Sequence, residues 1–577
     1  MRFASSSVKF ALILETQRWL RFASWLALVA TSALAGCQGE IAAGNEGPGG
    51  EGTTERPPKN PDGTVPQNLD VNRVAIHRLN NAEYDNTLRD LLGISATPAS
   101  SFIADEKLAG FDNIASAFGM TDAQYEQYFN AADALVEETF ANASLRARIL
   151  TCAPASSTDL ECAKKIIAQF GLRAFRRPLE ASEIERLTAL FSDALELGED
   201  FTGGVKHVIK TMLASVDFLY RIELDAEPHS AEPHLVGSYE MASRLSYLVW
   251  STMPDSELLE SAERGDLLKS EVLEAELGRL LSDPRASRFT MNFAGQWLGV
   301  RDLANHQVDK DVFAAWNEPL RQAMIREALA YFDEFLTGGR PITEFFTADV
   351  NFVDPTLAGL YGMAAPTSAA PVRVPDARDE RRGFLGLASF LTLTSYSYRT
   401  APTLRGKWVL ENLLCQEQTP PPPNVPVLDS AMSDPAALQS QNVRERLEAH
   451  RANPECASCH KVLDPIGLGL EHFDGIGKLR TVYDNGDAVD ASGVLPDGAA
   501  FNGLMALTDA LSGDERLIDC AAEKLLTYAL SRQLVKSDAP YVKQIREHWE
   551  GEGLGLRELL QQIVLNDTFR YRRGEAQ

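Results

Sequence analysis

The chain has 577 residues, 45% of them hydrophobic and 24% charged, with a formal net charge of −26. It can therefore bury a large core, and disorder of the whole chain is excluded. At roughly 150 residues per domain the length allows several domains, and a charge of this sign repels phosphate backbones and excludes nucleic-acid binding as the main task.

Taken in chain order, the first feature is an address. Residues 22–36, FASWLALVATSALAG, form an uncharged run behind Arg18 and Arg21 and end at Cys37. Such a run is too short to span a bilayer comfortably but suits the core of a signal peptide. The segment Leu34-Ala35-Gly36-Cys37 resembles a bacterial lipobox, so Cys37 is the expected lipidation site. Gln38 follows it rather than Asp, which favours the outer membrane over inner-membrane retention. The reading is of an exported lipoprotein of the bacterial cell envelope, bound to the membrane through its lipid only. Residues 37–70 are rich in Gly and Pro and nearly free of large apolar residues, as expected of a flexible tether.

Beyond the tether the pattern is helical and the expected class is mainly α. Apolar residues recur at helical spacing in 75–93, which stops at Gly93, and in 122–140. Further helices are expected at 160–176, 181–197, 201–221, 237–250, 270–299, 316–337, 381–394, 403–415, 435–451, 515–534 and 553–566. One small β-hairpin is expected at 478–494, around the turn Asp484-Asn485-Gly486.

Cofactor chemistry concentrates at Cys456-Ala457-Ser458-Cys459-His460. In a CxxCH segment two thiols can bond the vinyl groups of one haem as thioethers, and the adjoining imidazole, here His460, becomes an axial iron ligand. One covalent haem c is the reading. A CxxC disulfide or redox couple is a rival. Half a zinc site is another, although no second Cys/His pair with ligand spacing follows. The second axial position points to Met505, far enough along the chain to fold over the opposite face. His472 is the runner-up, and an open position is third.

The run CASCHKVLDPIGLGLEHFDGIGKLR (456–480) resembles the planctomycete-type cytochrome C domain, through Asp464-Pro465, Leu470-Glu471, Phe473-Asp474, Gly477 and Arg480. The resemblance continues in segments associated with that domain: VNRVAIHRLNNAEYDNTLRDLLG, FGLRAFRRPL, SYEMASRLSYLVWSTMPDSELL, RTAPTLRGKWVLENLLC, LLTYALSRQL and LNDTFRYRR. It implies a signal segment at 1–36, the tether at 37–70, and helical domains of unknown function at 71–145, 150–225 and 235–365. A cytochrome c-like unit at 378–500 and a closing helical domain at 505–575 follow. It also implies a secreted, haem-linked protein with a co-encoded secreted partner.

The motif residues have plainer roles as well. Arg173, Arg176 and Arg177 suit a helix C-terminus before Pro178; Trp250 and Trp297 suit the core. Arg399, Arg405 and Lys407 suit haem propionates or ion pairs. Asp464, Glu471 and Asp474 suit turn capping and pairing with Arg480 and Lys478. Cys152 and Cys162 flank a short loop and can form a disulfide; Cys415 and Cys520 are then left as a pair, with buried free thiols the alternative. Two functions compete: electron transfer by a monohaem lipoprotein, and binding or assembly at the cell surface with CxxCH as a minor or structural element. A haem-dependent oxidoreductase is a third, and no hydrolase or kinase constellation supports an ordinary enzyme.

Overall fold

Residues 76–375, 381–419, 441–452 and 454–574 are described by the computed structural model. The expected signal segment, Cys37 and the tether lie outside them. The described residues belong to one compact unit, Pro57–Gln577. It is mainly helical, and its strands occur only in two-stranded pieces.

The first helix, α1 (Asn81–Leu92), starts later than periodicity implies. Asn80 caps it by accepting from the Glu83 N–H while the Glu83 carboxylate accepts from the Asn80 N–H, and Gly93 ends it in the left-handed conformation. Ahead of that cap His77–Arg78 is a strand, β1, paired antiparallel with β2 (Tyr220–Arg221). Helices α2 (Asp122–Ala141), α3 (Leu160–Ala174), α4 (Ala181–Glu196) and α5 (Phe201–Leu213) close around one core with α1, through Leu88, Val136, Ile166, Phe191 and Ile209. Each such side chain, fully buried, contributes roughly 1.5–3 kcal/mol.

A second and larger core begins with α6 (Ser238–Trp250), α7 (Ser270–Ser282) and α8 (Glu318–Thr337). It continues without interruption through Phe384, Leu470, Leu525 and Trp549. This core ignores the borders expected at 365–378 and 500–505. Trp250 and Trp297 are buried in it, each donating its indole N–H to a carbonyl, of Leu280 at 3.0 Å and of Asn412 at 2.7 Å.

Several expected helices are cut short. The helix expected at 201–221 stops at Leu213 and restarts at Ser215 for a single turn. The one at 270–299 breaks at Asp283-Pro284, where Pro284 has no N–H to continue the ladder. Of 381–394 only Ala388–Leu393 is α-helical, because Gly383 packs directly on Phe346.

In the C-terminal part, α9 (Pro402–Trp408) is followed by α10 (Val443–Arg451) and α11 (Pro454–Leu468). After them come a hairpin of β3 (Ser492–Val494) and β4 (Ala500–Asn502), then α12 (Gly503–Leu511), α13 (Arg516–Leu530) and α14 (Ala539–Gly551). Three of these helices, α11, α12 and α14, were not expected. The hairpin expected at 478–494 does not form a ladder; the one present lies largely beyond it, pairing 492–494 with 500–502. Asp484-Asn485-Gly486 does turn, with Gly486 at φ +89°, yet it supports only an isolated bridge between Val482 and Ala488. Beside that turn Tyr483 and the partly buried Val489 pack inward, one side chain from each arm, which is too little apolar face to hold a longer ladder. Among the described residues no helix is long and apolar enough to cross a membrane.

Candidate functional site

The CxxCH segment lies in the first half of α11, and the helix geometry brings its groups together. Positions 456, 459, 460 and 464 are three or four apart and share one face. Cys456 and Cys459 are partly exposed free thiols. The other described cysteines form the two expected disulfides, Cys152–Cys162 with Cα atoms 6.0 Å apart and Cys415–Cys520 at 5.2 Å.

His460 is held through one nitrogen. Its Nδ1 lies 3.0 Å from Asp464 Oδ1, one helical turn on. Asp464 is fully buried and also accepts from Thr403 Oγ1 at 2.8 Å. A carboxylate on Nδ1 selects the tautomer whose Nε2 carries a lone pair, the arrangement common for metal-ligating histidine. Asp464 therefore orients an imidazole rather than capping a turn. Its Oδ2 has no hydrogen-bond partner, with Arg451 Nε at 3.8 Å. The ring of His450, from α10, packs edge-on against that of His460 with centroids 4.6 Å apart. Burial, then the neighbouring His460, lowers the His450 pKa.

What fixes this face is the contact between α9 and α11. A Cβ on Gly406 would meet the Leu463 carbonyl oxygen at 1.9 Å, and one on Gly467 the Pro402 carbonyl oxygen at 1.8 Å. The backbones touch at both places, so only glycine fits.

Below the contact is a buried ionic network. Arg405 is 0% exposed and lies 3.3 Å from Glu471, while its guanidinium also donates to the carbonyls of Leu470, Phe473 and Asp474. Glu471, equally buried, accepts from Thr400 at 3.0 Å and from Arg480 at 2.8 Å. Burial brings the Arg405 pKa down to about 10 despite Glu471. Arg405 is thus neither a surface pair nor a propionate contact. It ties the loop after α11 to α9. Arg480 pairs with Glu471, and Asp474 caps the Ile476–Lys478 turn, as expected. Arg399 lies over the rings of Tyr396 and Tyr398, and Lys407 pairs with Glu411 at 3.7 Å.

The two expected distal ligands lie on other elements. His472 sits beside Gly503, whose Cβ would be 3.5 Å from its Nδ1, and burial lowers its pKa. Met505 is half-buried on α12, and its carbonyl accepts from Arg382 at 2.7 Å. Sequence reading missed His450, because no spacing signal relates the end of one helix to the start of the next.

Five family models match in chain order, all described as protein of unknown function: DUF1587 over 77–141, DUF1595 over 162–223, DUF1592 over 236–363, DUF1588 over 381–483 and DUF1585 over 497–569. The fourth, whose short name is PSCyt3, covers α9 to α11 and the whole CxxCH segment. These are the domains associated with planctomycete-type cytochrome C proteins. The chain belongs to that multi-domain family. No curated protein and no solved structure matches it.

The family points to a cytochrome-like unit, and the residues fit a covalent haem. Attachment needs two reduced thiols a helical turn apart and an adjoining imidazole with a lone pair left for iron. Cys456, Cys459 and the Asp464-anchored His460 provide that set. Among the described residues no group of three or more His, Cys, Asp or Glu side chains is arranged to hold a bare metal ion.

Proposed function

We propose that the chain is an exported, lipid-anchored monohaem c-type cytochrome that exchanges electrons with a secreted partner. The observation that carries this reading is the pair of free thiols on α11 beside an imidazole pinned at Nδ1 by buried Asp464. Cys456 and Cys459 would hold the group as thioethers, with His460 as one axial ligand. Met505 is proposed for the second position, with His472 as runner-up. When bound, the haem supplies reversible one-electron transfer.

The protein's own residues set the conditions for that chemistry. Asp464 fixes the tautomer and ring orientation of His460, and Thr403 holds Asp464 in turn. The glycine contacts lock α9 to α11, so the ligand face stays rigid. The two disulfides fit an oxidising compartment, which is also where haem c is attached.

A second reading, binding or assembly at the cell surface, is favoured by the continuous core running well beyond the CxxCH unit. A haem spectrum separates the two. Sharp reduced bands and the added mass of one haem are expected for the exported protein, and Cys456→Ala with Cys459→Ala should abolish both while the chain stays folded. If the wild type carries no haem, the electron-transfer reading fails and the binding reading replaces it.

For localisation we propose Cys37 as the lipid anchor, with the outer membrane as destination. Cys37→Ala should move the protein to the soluble fraction; membrane retention would reject the anchor.

A further inference from the structure

A cavity of about 70 Å³ lies apart from α11, at the junction of segments matched by four of the family models. His77 comes from the first segment, Arg176 and Arg221 from the second, Arg244 from the third, and Ser531 and Arg532 from the last. It exists only because these segments pack together.

Three of its five lining arginines are held in direct ion pairs. Arg244 is paired with Glu223 at 2.6 Å, Arg177 with Glu183 at 2.8 Å, and Arg532 with Asp538 at 2.7 Å. Arg176 and Arg221 have no carboxylate within ion-pair distance among the described residues. Arg176 is buried at φ +62° and donates only to the carbonyls of Asp217, Phe218 and Tyr220. Arg221 donates to Ser531 Oγ at 3.0 Å, and its buried Nε has no partner among the described residues. Ser531 is also held at positive φ, so two strained non-glycine residues line the same cavity.

His77 stands directly opposite Arg221 in the β1–β2 register, where paired side chains share a face. Its Nε2 lies 3.0 Å from Glu83 Oε2, so Nε2 carries the proton and the buried Nδ1 is left as an acceptor without a partner among the described residues. Glu240, which also lines the cavity, is already engaged by the backbone N–H groups of Glu240 and Leu224. The cavity therefore offers two guanidinium groups without a direct ion pair beside one acceptor, His77 Nδ1, that has no partner among the described residues.

We propose that this cavity binds a small oxyanion that itself carries a proton, of the hydrogen phosphate class, with Arg176 and Arg221 matching its charge and His77 Nδ1 accepting its proton. A fully deprotonated anion would meet the guanidinium groups equally well but would place a lone pair against that of Nδ1. Sulfate, which has the same shape and no proton at neutral pH, is the discriminating probe.

The test is calorimetric titration of the full chain with inorganic phosphate and with sulfate at neutral pH. Saturable phosphate binding is expected, with sulfate about tenfold weaker, the worth of one charge-assisted hydrogen bond. Arg221→Gln should weaken phosphate binding by about tenfold or more on the same grounds. If Arg221→Gln does not fold, Arg221→Lys carries the test, since it keeps the charge and loses the forked donor geometry. His77→Phe keeps a ring of similar size and removes the Nδ1 acceptor, so in the folded variant it should erase the preference for phosphate over sulfate, which a purely structural role would not do. Absence of saturable phosphate binding, equal affinity for the two anions, or unchanged affinity in folded Arg221→Lys would overturn the proposal.

Discussion

Gly467 lies against Pro402 so closely that a Cβ on it would sit 1.8 Å from the Pro402 carbonyl oxygen. The obstacle is backbone, so no side chain can swing aside to make room. Gly467→Ala must therefore push α11 off α9, at a cost of about 3 kcal/mol or more, the upper end for overpacking. Chemical denaturation should record that loss. A variant as stable as the wild type would mean that the two helices are not in contact.

Arg405 and Glu471 should fail asymmetrically. Both are fully buried, and Arg405 also satisfies three carbonyls of the loop after α11. Arg405→Met strands those carbonyls and leaves Glu471 with Arg480 as its one ion-pair partner among the described residues, with an expected loss of roughly 3 kcal/mol, the low end for breaking a buried pair. Arg405→Lys should recover little, because a point charge cannot reproduce the forked contacts. Equal stability of Arg405→Lys and wild type in urea melts would refute the network.

Acid should weaken the β1–α1 corner in two stages. Burial lowers the His77 pKa from 6.5, so below about that pH the unfolded chain takes a proton that the folded chain resists, and stability falls. Burial alone would raise the Glu83 pKa, but His77, Arg221 and the Asn80 N–H hold it at about 2 against a usual 4.5. Its contribution is present above 4.5 and lost as pH falls toward about 2. The melting temperature should decline from pH 7 to 5 and more steeply below 4.5; Glu83→Gln should remove the steeper phase. A pH-independent melting temperature across that range would contradict both.

The disulfides should differ in weight. Cys415–Cys520 closes 105 residues and Cys152–Cys162 closes 10. Restriction of the unfolded chain then makes the long bridge stronger by roughly 2 kcal/mol. Paired Cys→Ser variants compared in guanidinium should show that order, and the reverse order would mean that loop entropy does not dominate.

The sequence made its local chemistry legible and left its long-range chemistry hidden. The helices around Leu88, Val136 and Phe191 follow from 3.6-residue periodicity, which any amphipathic segment displays. The pairing of Cys415 with Cys520 was available by elimination once the other cysteines had roles. The helix carrying Cys456 was not, because Pro454 and Pro465 bracket it and its apolar residues crowd into the second half. Nor could spacing show that Asp464 would meet His460 instead of a turn, or that Arg405 would be sealed against Glu471. Those outcomes depend on α9 crossing α11 at Gly406 and Gly467, a tertiary contact written into the chain only as the absence of two side chains.

The two candidates for the second axial position lie on separate elements. Met505 is on α12 and His472 follows α11, while His450 on α10 packs its ring directly on His460 and serves as a control. A thioether raises the reduction potential relative to a second imidazole, and loss of either ligand leaves the iron open to added carbon monoxide. If Met505 is the ligand, Met505→Ala should lower the potential and admit carbon monoxide rapidly, while His472→Ala and His450→Ala leave both unchanged. The same change produced instead by His472→Ala would assign the position to the runner-up. Rapid carbon monoxide binding to the wild type would mean that neither is bound. Each variant is checked first for covalent haem by mass, so that loss of attachment is never mistaken for loss of a ligand.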